Sequence, residues 1–151
     1  MRLPPALDAT LALVADAAAE AAGPWWIVGS AAVALHGAEV PDLRDVDLLM
    51  SAADARTLLA RLGLPAAPGA PSPLFRSEVF GTWREPPLPV EVMGGFTLAA
   101  PSGWEPVAFA TREPVRLAAR TLYVPSAAEL RALLLRLARP KDLARAKLLP
   151  R

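Results

Sequence analysis

Residues 25–37 read WWIVGSAAVALHG, and beyond the loop AEVPDLR residues 45–50 read DVDLLM. The apolar run Trp25–Val28 predicts a short strand. Ala-rich Ser30–His36 predicts a helix, closed by Gly37 at a left-handed cap. Gly29-Ser30 therefore falls on a strand-to-helix turn. There, glycine lets the backbone approach a ligand closely, and the first helical N–H groups point outward with the positive end of the helix dipole. Such a turn cradles an anion such as a triphosphate. Ser30 either caps the helix or donates its hydroxyl to a phosphate oxygen.

The second run predicts a strand over Asp45–Met50. Side chains alternate faces along a strand, so Asp45 and Asp47 project one way while Val46 and Leu48 pack the other way. Two carboxylates so close repel, and a divalent cation between them is the simplest remedy. A third acid, Glu91 in PVEVMGG, sits between Val90 and Val92 on a separate strand and could complete a two-metal site. Glu78 and Glu85 are the other acids that could lie near the pair. Oxygen-only donors suit Mg²⁺ or Mn²⁺, which also bridge substrate phosphates.

Composition narrows the alternatives. At 151 residues the chain reads as a single domain, 1–151, able to bury roughly two-thirds of its unfolded surface. Apolar residues make up 54%, and the net charge is +1, so a nucleic-acid contact would need a local basic patch. The absence of cysteine excludes disulfides and thiolate-bound zinc, and a single histidine excludes a His-rich metal site. No run reaches the roughly 18 apolar residues of a membrane span, and the first residues lack a secretory-signal pattern. The expected location is the cytoplasm, with no membrane partner. The chain has no Asn or Gln, 17 Pro, and 14 Arg with 2 Lys among its 16 basic residues. A thermophilic or a high-GC source explains that bias equally well.

Elsewhere, residues 5–22 predict an amphipathic helix with Leu7, Leu11, Val14 and Ala18 on one side, stopped by Gly23-Pro24. Ser51-Ala-Ala-Asp54 resembles a capping box opening a helix that Gly63 closes. LPAAPGAPSP at 64–73 predicts a surface connection. Strands are expected over Phe75–Arg84, Leu88–Met93, Val115–Ala118 and Thr121–Val124. A second capping box, Ser126–Glu129, opens a helix bearing Leu130, Leu133, Leu134 and Leu137, which Pro140 breaks before a last helix over Lys141–Leu149. The fold class is α/β (α+β): a small mixed β-sheet flanked by helices, with two C-terminal helices.

Gly29-Ser30, a helix, Asp45-Val-Asp47 and the later Glu91 resemble the DNA polymerase beta-like nucleotidyltransferase superfamily. Within it the chain is most similar to small bacterial members, including the abortive-infection toxin type. The C-terminal Arg139, Lys141 and Asp142 match an Arg-x-Lys-Asp element of that family, so the likeness spans about residues 25–149. The resemblance implies that Gly29 and Ser30 bind the triphosphate and that Asp45 and Asp47 ligate Mg²⁺. It implies that Glu91 joins them as metal ligand and helps deprotonate the attacking hydroxyl, and that Arg139 and Lys141 are nucleotide-binding. The implied partners are an NTP and a hydroxyl acceptor on RNA, protein or a small molecule. Two alternatives stay open: an inactive nucleotide-binding or regulatory module, and a toxin–antitoxin component working with a partner protein such as an antitoxin.

The remaining polar and aromatic residues have plainer readings. Arg44 reads as a charge partner and His36 as satisfying the end of its helix. Trp25 and Trp26 read as one core and one half-exposed residue. Trp83 and Trp104 could stack on a base. Arg112, Arg116 and Arg120 read as a solvated strand face, and also as the best candidates for contacts to a nucleic-acid acceptor.

Overall fold

The computed structural model describes residues 2–151. In α1 (Pro5–Ala18) the expected face, Leu7, Leu11, Val14 and Ala18, is buried. The helix ends four residues earlier than the Ala-rich run suggests, because the amides of Ala22 and Gly23 turn to the Asp54 carboxylate, each at 3.0 Å. Strand β1 (Trp26–Val28) feeds α2 (Gly29–Leu35), then come β2 (Val46–Met50) and α3 (Ala52–Arg61). Gly29 sits at φ +65° and Gly37 at φ +98°, conformations that glycine adopts without a Cβ clash. The α2 N-cap is Val28, and Ser30 lies inside the first turn, buried, so it does not cap the helix.

Ser51 caps α3 by accepting the Asp54 N–H at 3.0 Å. Asp54 does not complete the box: its carboxylate serves the 22–23 turn instead. The 64–73 segment is mostly exposed, as expected, and is fastened to the sheet through a bridge between Ala67 and Phe80.

The sequence underestimates the central strands. β3 (Phe75–Trp83) is close to expectation, but β4 (Val90–Ala100) runs well past Met93, through Gly94 and Gly95, and pairs with an unexpected β5 (Gly103–Pro106). A separate two-stranded ribbon, β6 (Glu113–Leu117) with β7 (Arg120–Val124), turns at Ala118, φ +52°. α4 (Ala127–Leu137) is capped by Ser126 and ends at Ala138 in the left-handed region; Pro140 then occupies the first turn of α5 (Pro140–Leu148).

The main sheet has the order β1-β2-β4-β3, with β5 also on β4. β2 and β4 are parallel and the other pairs antiparallel, so the sheet is mixed. Val46, Leu48 and Met50 of β2 and Val90 and Val92 of β4 join one core with buried residues from all five helices. Alternation then leaves Asp47, Leu49, Glu91 and Met93 to the opposite face. Leu49 and Met93 join Val28 in a small second apolar cluster there. No helix among the described residues is long and apolar enough to cross a membrane.

Candidate active site

Asp45 immediately precedes β2 and Asp47 is its second residue. In the parallel β2–β4 ladder, Asp47 stands opposite Glu91. The fold thus brings together three carboxylates from two segments, and one oxygen from each lies within 4.8 Å of the others. Asp47 Oδ1 is buried and has no hydrogen-bond partner among the described residues. Burial, followed by the charges of Asp45 and Glu91, pushes the Asp47 carboxyl well above the usual carboxylate range, and only Arg145 pulls it the other way. A buried, unpartnered oxygen on an acid clustered with two more acids is a costly arrangement for a protein alone. An all-oxygen donor set with an orphaned atom fits a hard divalent cation.

Gly29 packs against this group. A Cβ built there would meet Asp47 Oδ2 at 2.4 Å, so no side chain can stand between the turn and the acid. The glycine expected for close approach to a ligand is thus also required for close approach to Asp47. Ser30, expected to touch phosphate, is buried in α2 and is not in the lining of the acidic cavity.

The cavity holds about 620 Å³. Arg139 and Lys141 both line it with the three acids, as does Arg44. Arg139 is committed to Asp142, with Nε to Oδ2 at 2.6 Å and Nη2 to Oδ1 at 3.1 Å, while its guanidinium lies 5.4 Å from the Phe75 ring centre. Arg44 and Lys141 form no salt bridge among the described residues, so the charge-partner reading of Arg44 is corrected. Arg145 also lines the cavity and was missed. Its spacing of four residues from Lys141, which puts both on one helix face, was the available signal.

Other candidates fall elsewhere. Glu78 pairs with Arg56 at 3.6 Å and Glu85 lies in the exposed turn after β3, so Glu91 is the acid that joins the pair. Trp83 is buried and Trp104 lies beneath the Arg76 guanidinium at 3.8 Å; neither reaches the cavity. Trp25 is the core member of its pair and Trp26 the half-buried one. Arg112 lies over Tyr123 at 3.5 Å and donates to the Trp25 carbonyl, and Arg120 pairs with Asp16. His36 closes α2 through its backbone, whose N–H donates to the Ala32 carbonyl at 3.0 Å, while its ring binds the Pro125 carbonyl at 2.8 Å.

No protein-family model matches the chain, and no curated protein matches its sequence. Solved structures do. A Thermotoga maritima protein provisionally named a nucleotidyltransferase superposes with a TM-score of 0.73 at 20% identity, over 91% of this chain and 88% of that one. The antibiotic-resistance factor ANT(2'')-Ia gives 0.58 at 14%, over 93% and 80%. The lincosamide antibiotic adenylyltransferase LnuA, solved with lincomycin bound, gives 0.56 at 15%, over 91% and 92%. The chain therefore has a nucleotidyltransferase fold.

Proposed function

We propose that the chain, acting as one domain, is a divalent-metal-dependent nucleotidyltransferase that moves a nucleoside monophosphate from an NTP to a hydroxyl. The observation that carries this reading is the convergence of Asp45, Asp47 and Glu91, with one Asp47 oxygen buried and unpartnered. The fold neighbours support it, since two are named for adenylyl transfer or antibiotic resistance.

In this reading Asp45, Asp47 and Glu91 hold Mg²⁺ or Mn²⁺, which supplies charge neutralisation at the α-phosphate and makes the hydroxyl more acidic. The Gly29 turn lets the triphosphate lie against the α2 backbone, while Lys141 and Arg145 offer cations to it. Arg139, held by Asp142, presents its remaining donors from a fixed position. The acceptor oxygen forms a bond to the α-phosphorus, the bond to the β-phosphate oxygen breaks, and pyrophosphate leaves. Glu91 receives the hydroxyl proton. Fixed charges in a sheltered cavity stabilise the developing negative charge without reorganising.

Each α-³²P-labelled NTP, incubated with Mg²⁺ and a cell lysate split into small-molecule, RNA and protein fractions, tests the proposal. Wild type should label one fraction. Glu91→Gln should bind Mg-NTP within a few-fold of wild type and transfer about 10² times more slowly. Clear nucleotide binding with no labelled product from wild type would move the chain to the non-catalytic, nucleotide-binding reading.

A further inference from the structure

The acidic cavity has a second wall that the transfer chemistry leaves unexplained. The chain has four phenylalanines, and none joins the main core. Phe75, Phe80 and Phe96 instead line the acidic cavity half-buried, beside the buried Met93. Phe80 stands opposite Met93 across the β3–β4 ladder, and Phe75 and Phe96 pack with ring centres 5.5 Å apart. Met93 lies two residues beyond Glu91 on the same strand, about 7 Å along the sheet. Phe80 and Phe96 also pack against the small Val28, Leu49 and Met93 cluster, so the wall has one side in the fold and one in the cavity. Half-buried aromatics gathered beside charged groups are the usual composition of a ligand pocket.

The two ends of the cavity are built differently. Gly29 abuts Asp47 from the β1 side, and Lys141 and Arg145 come from α5, which packs on α2. Gly29, Lys141 and Arg145 therefore mark the β1–α2 end for a triphosphate, while Arg139, 5.4 Å from the Phe75 ring, stands where the two ends meet. The aromatic wall belongs to β3 and β4, on the far side of Glu91 from Gly29. Beyond the three clustered acids, the cavity's carboxylates are Asp42 and Asp142, and Asp142 is committed to Arg139. That leaves little to hold a polycation.

We infer that Phe75, Phe80, Met93 and Phe96 form the acceptor subsite, and that the acceptor is a small hydroxyl compound with an apolar or aromatic body, seated with its hydroxyl toward Glu91. The inference rests on the nucleotidyltransferase reading of the same cavity.

Methionine-methyl NMR on the wild-type chain tests it, because there are only three methionines. A non-hydrolysable ATP analogue with Mg²⁺ is titrated first, then 2-naphthol is added to the nucleotide-saturated protein, with kanamycin and a short RNA as separate arms. The expected result is a saturable shift of the Met93 methyl by naphthol while nucleotide stays bound, and no such shift from kanamycin or RNA. Phe80→Ala should weaken naphthol about tenfold or more and leave Mg-nucleotide affinity within twofold. Displacement of naphthol by the nucleotide would make the wall a nucleobase platform and overturn the inference alone. So would a Met93 response to kanamycin or RNA in place of naphthol, or nucleotide binding with no naphthol response. Failure of the nucleotide to bind at all would overturn the transferase reading and this inference together.

Discussion

Asp47 is crowded by burial and by the charges of Asp45 and Glu91, and the consequence can be measured without any substrate. Its carboxyl is pushed up in the folded chain, so its contribution to stability is fully present below the unfolded value near 3.8 and is lost as pH rises through the folded value. In metal-free buffer, Asp47→Asn should therefore match wild type at the acid end and gain relative to it as pH rises, read as melting temperature across a pH series. Mg²⁺ should reverse the order at neutral pH, stabilising wild type and leaving the variant unmoved. Gly29 and Ser30 separate just as sharply. Gly29→Ala should cost about 1–3 kcal/mol in urea unfolding, from its positive φ and the crowding against Asp47. Ser30→Ala should forfeit no capping energy, because Ser30 does not cap α2. At this scale the sequence singled out the glycine and the three acids that the fold brings together. It missed why the glycine is needed, since a turn's proximity to a distant side chain is not written in the turn.

Among the elements, Asp54 shows how a local signal can serve a distant purpose. It opens α3 as expected, yet its carboxylate accepts the amides of Ala22 and Gly23 and ties the end of α1 to α3. Burial raises its carboxyl, but those amides and the Ser51 hydroxyl together hold it below 3.8. Its stabilisation is thus present above that value and is lost as pH falls through the lowered one. Asp54→Ala should cost about 1–3 kcal/mol at neutral pH, measured by denaturant unfolding, with the difference shrinking in acid. The extent of β4 was not legible, because Gly94-Gly95 reads as a strand end. In the fold Gly94 is where α3 presses on the sheet: an added Cβ would meet Ala55 Cβ at 2.5 Å and Ala52 Cα at 3.0 Å. Gly94→Ala should accordingly destabilise by about 1–3 kcal/mol through overpacking.

For the whole molecule, the decisive feature is the parallel pairing of β2 with β4, which sets Glu91 opposite Asp47 across a gap in sequence that no local pattern bridges. Alternation along each strand could say that Asp45 and Asp47 share a face, and PVEVMGG offered Glu91 as a third strand acid without excluding Glu78 or Glu85. The register that joins them depends on long-range packing of Val46, Leu48, Val90 and Val92 into a common core. Arg145 and the phenylalanine wall were hidden for the same reason, since they enter the cavity only once α5 and β3 are in place. In the proposed function nucleotide binding depends on a metal that Asp45 and Asp47 suffice to hold, with Glu91 beside them. Calorimetry with a non-hydrolysable NTP, with and without Mg²⁺, on wild type and on the Asp45→Asn, Asp47→Asn double variant tests it most directly. Wild type should bind only with Mg²⁺ and gain about 2.7 kcal/mol of stability at a hundredfold excess over Kd, while the folded double variant should gain none. Equal binding without Mg²⁺, or undiminished binding by the double variant, would contradict the account.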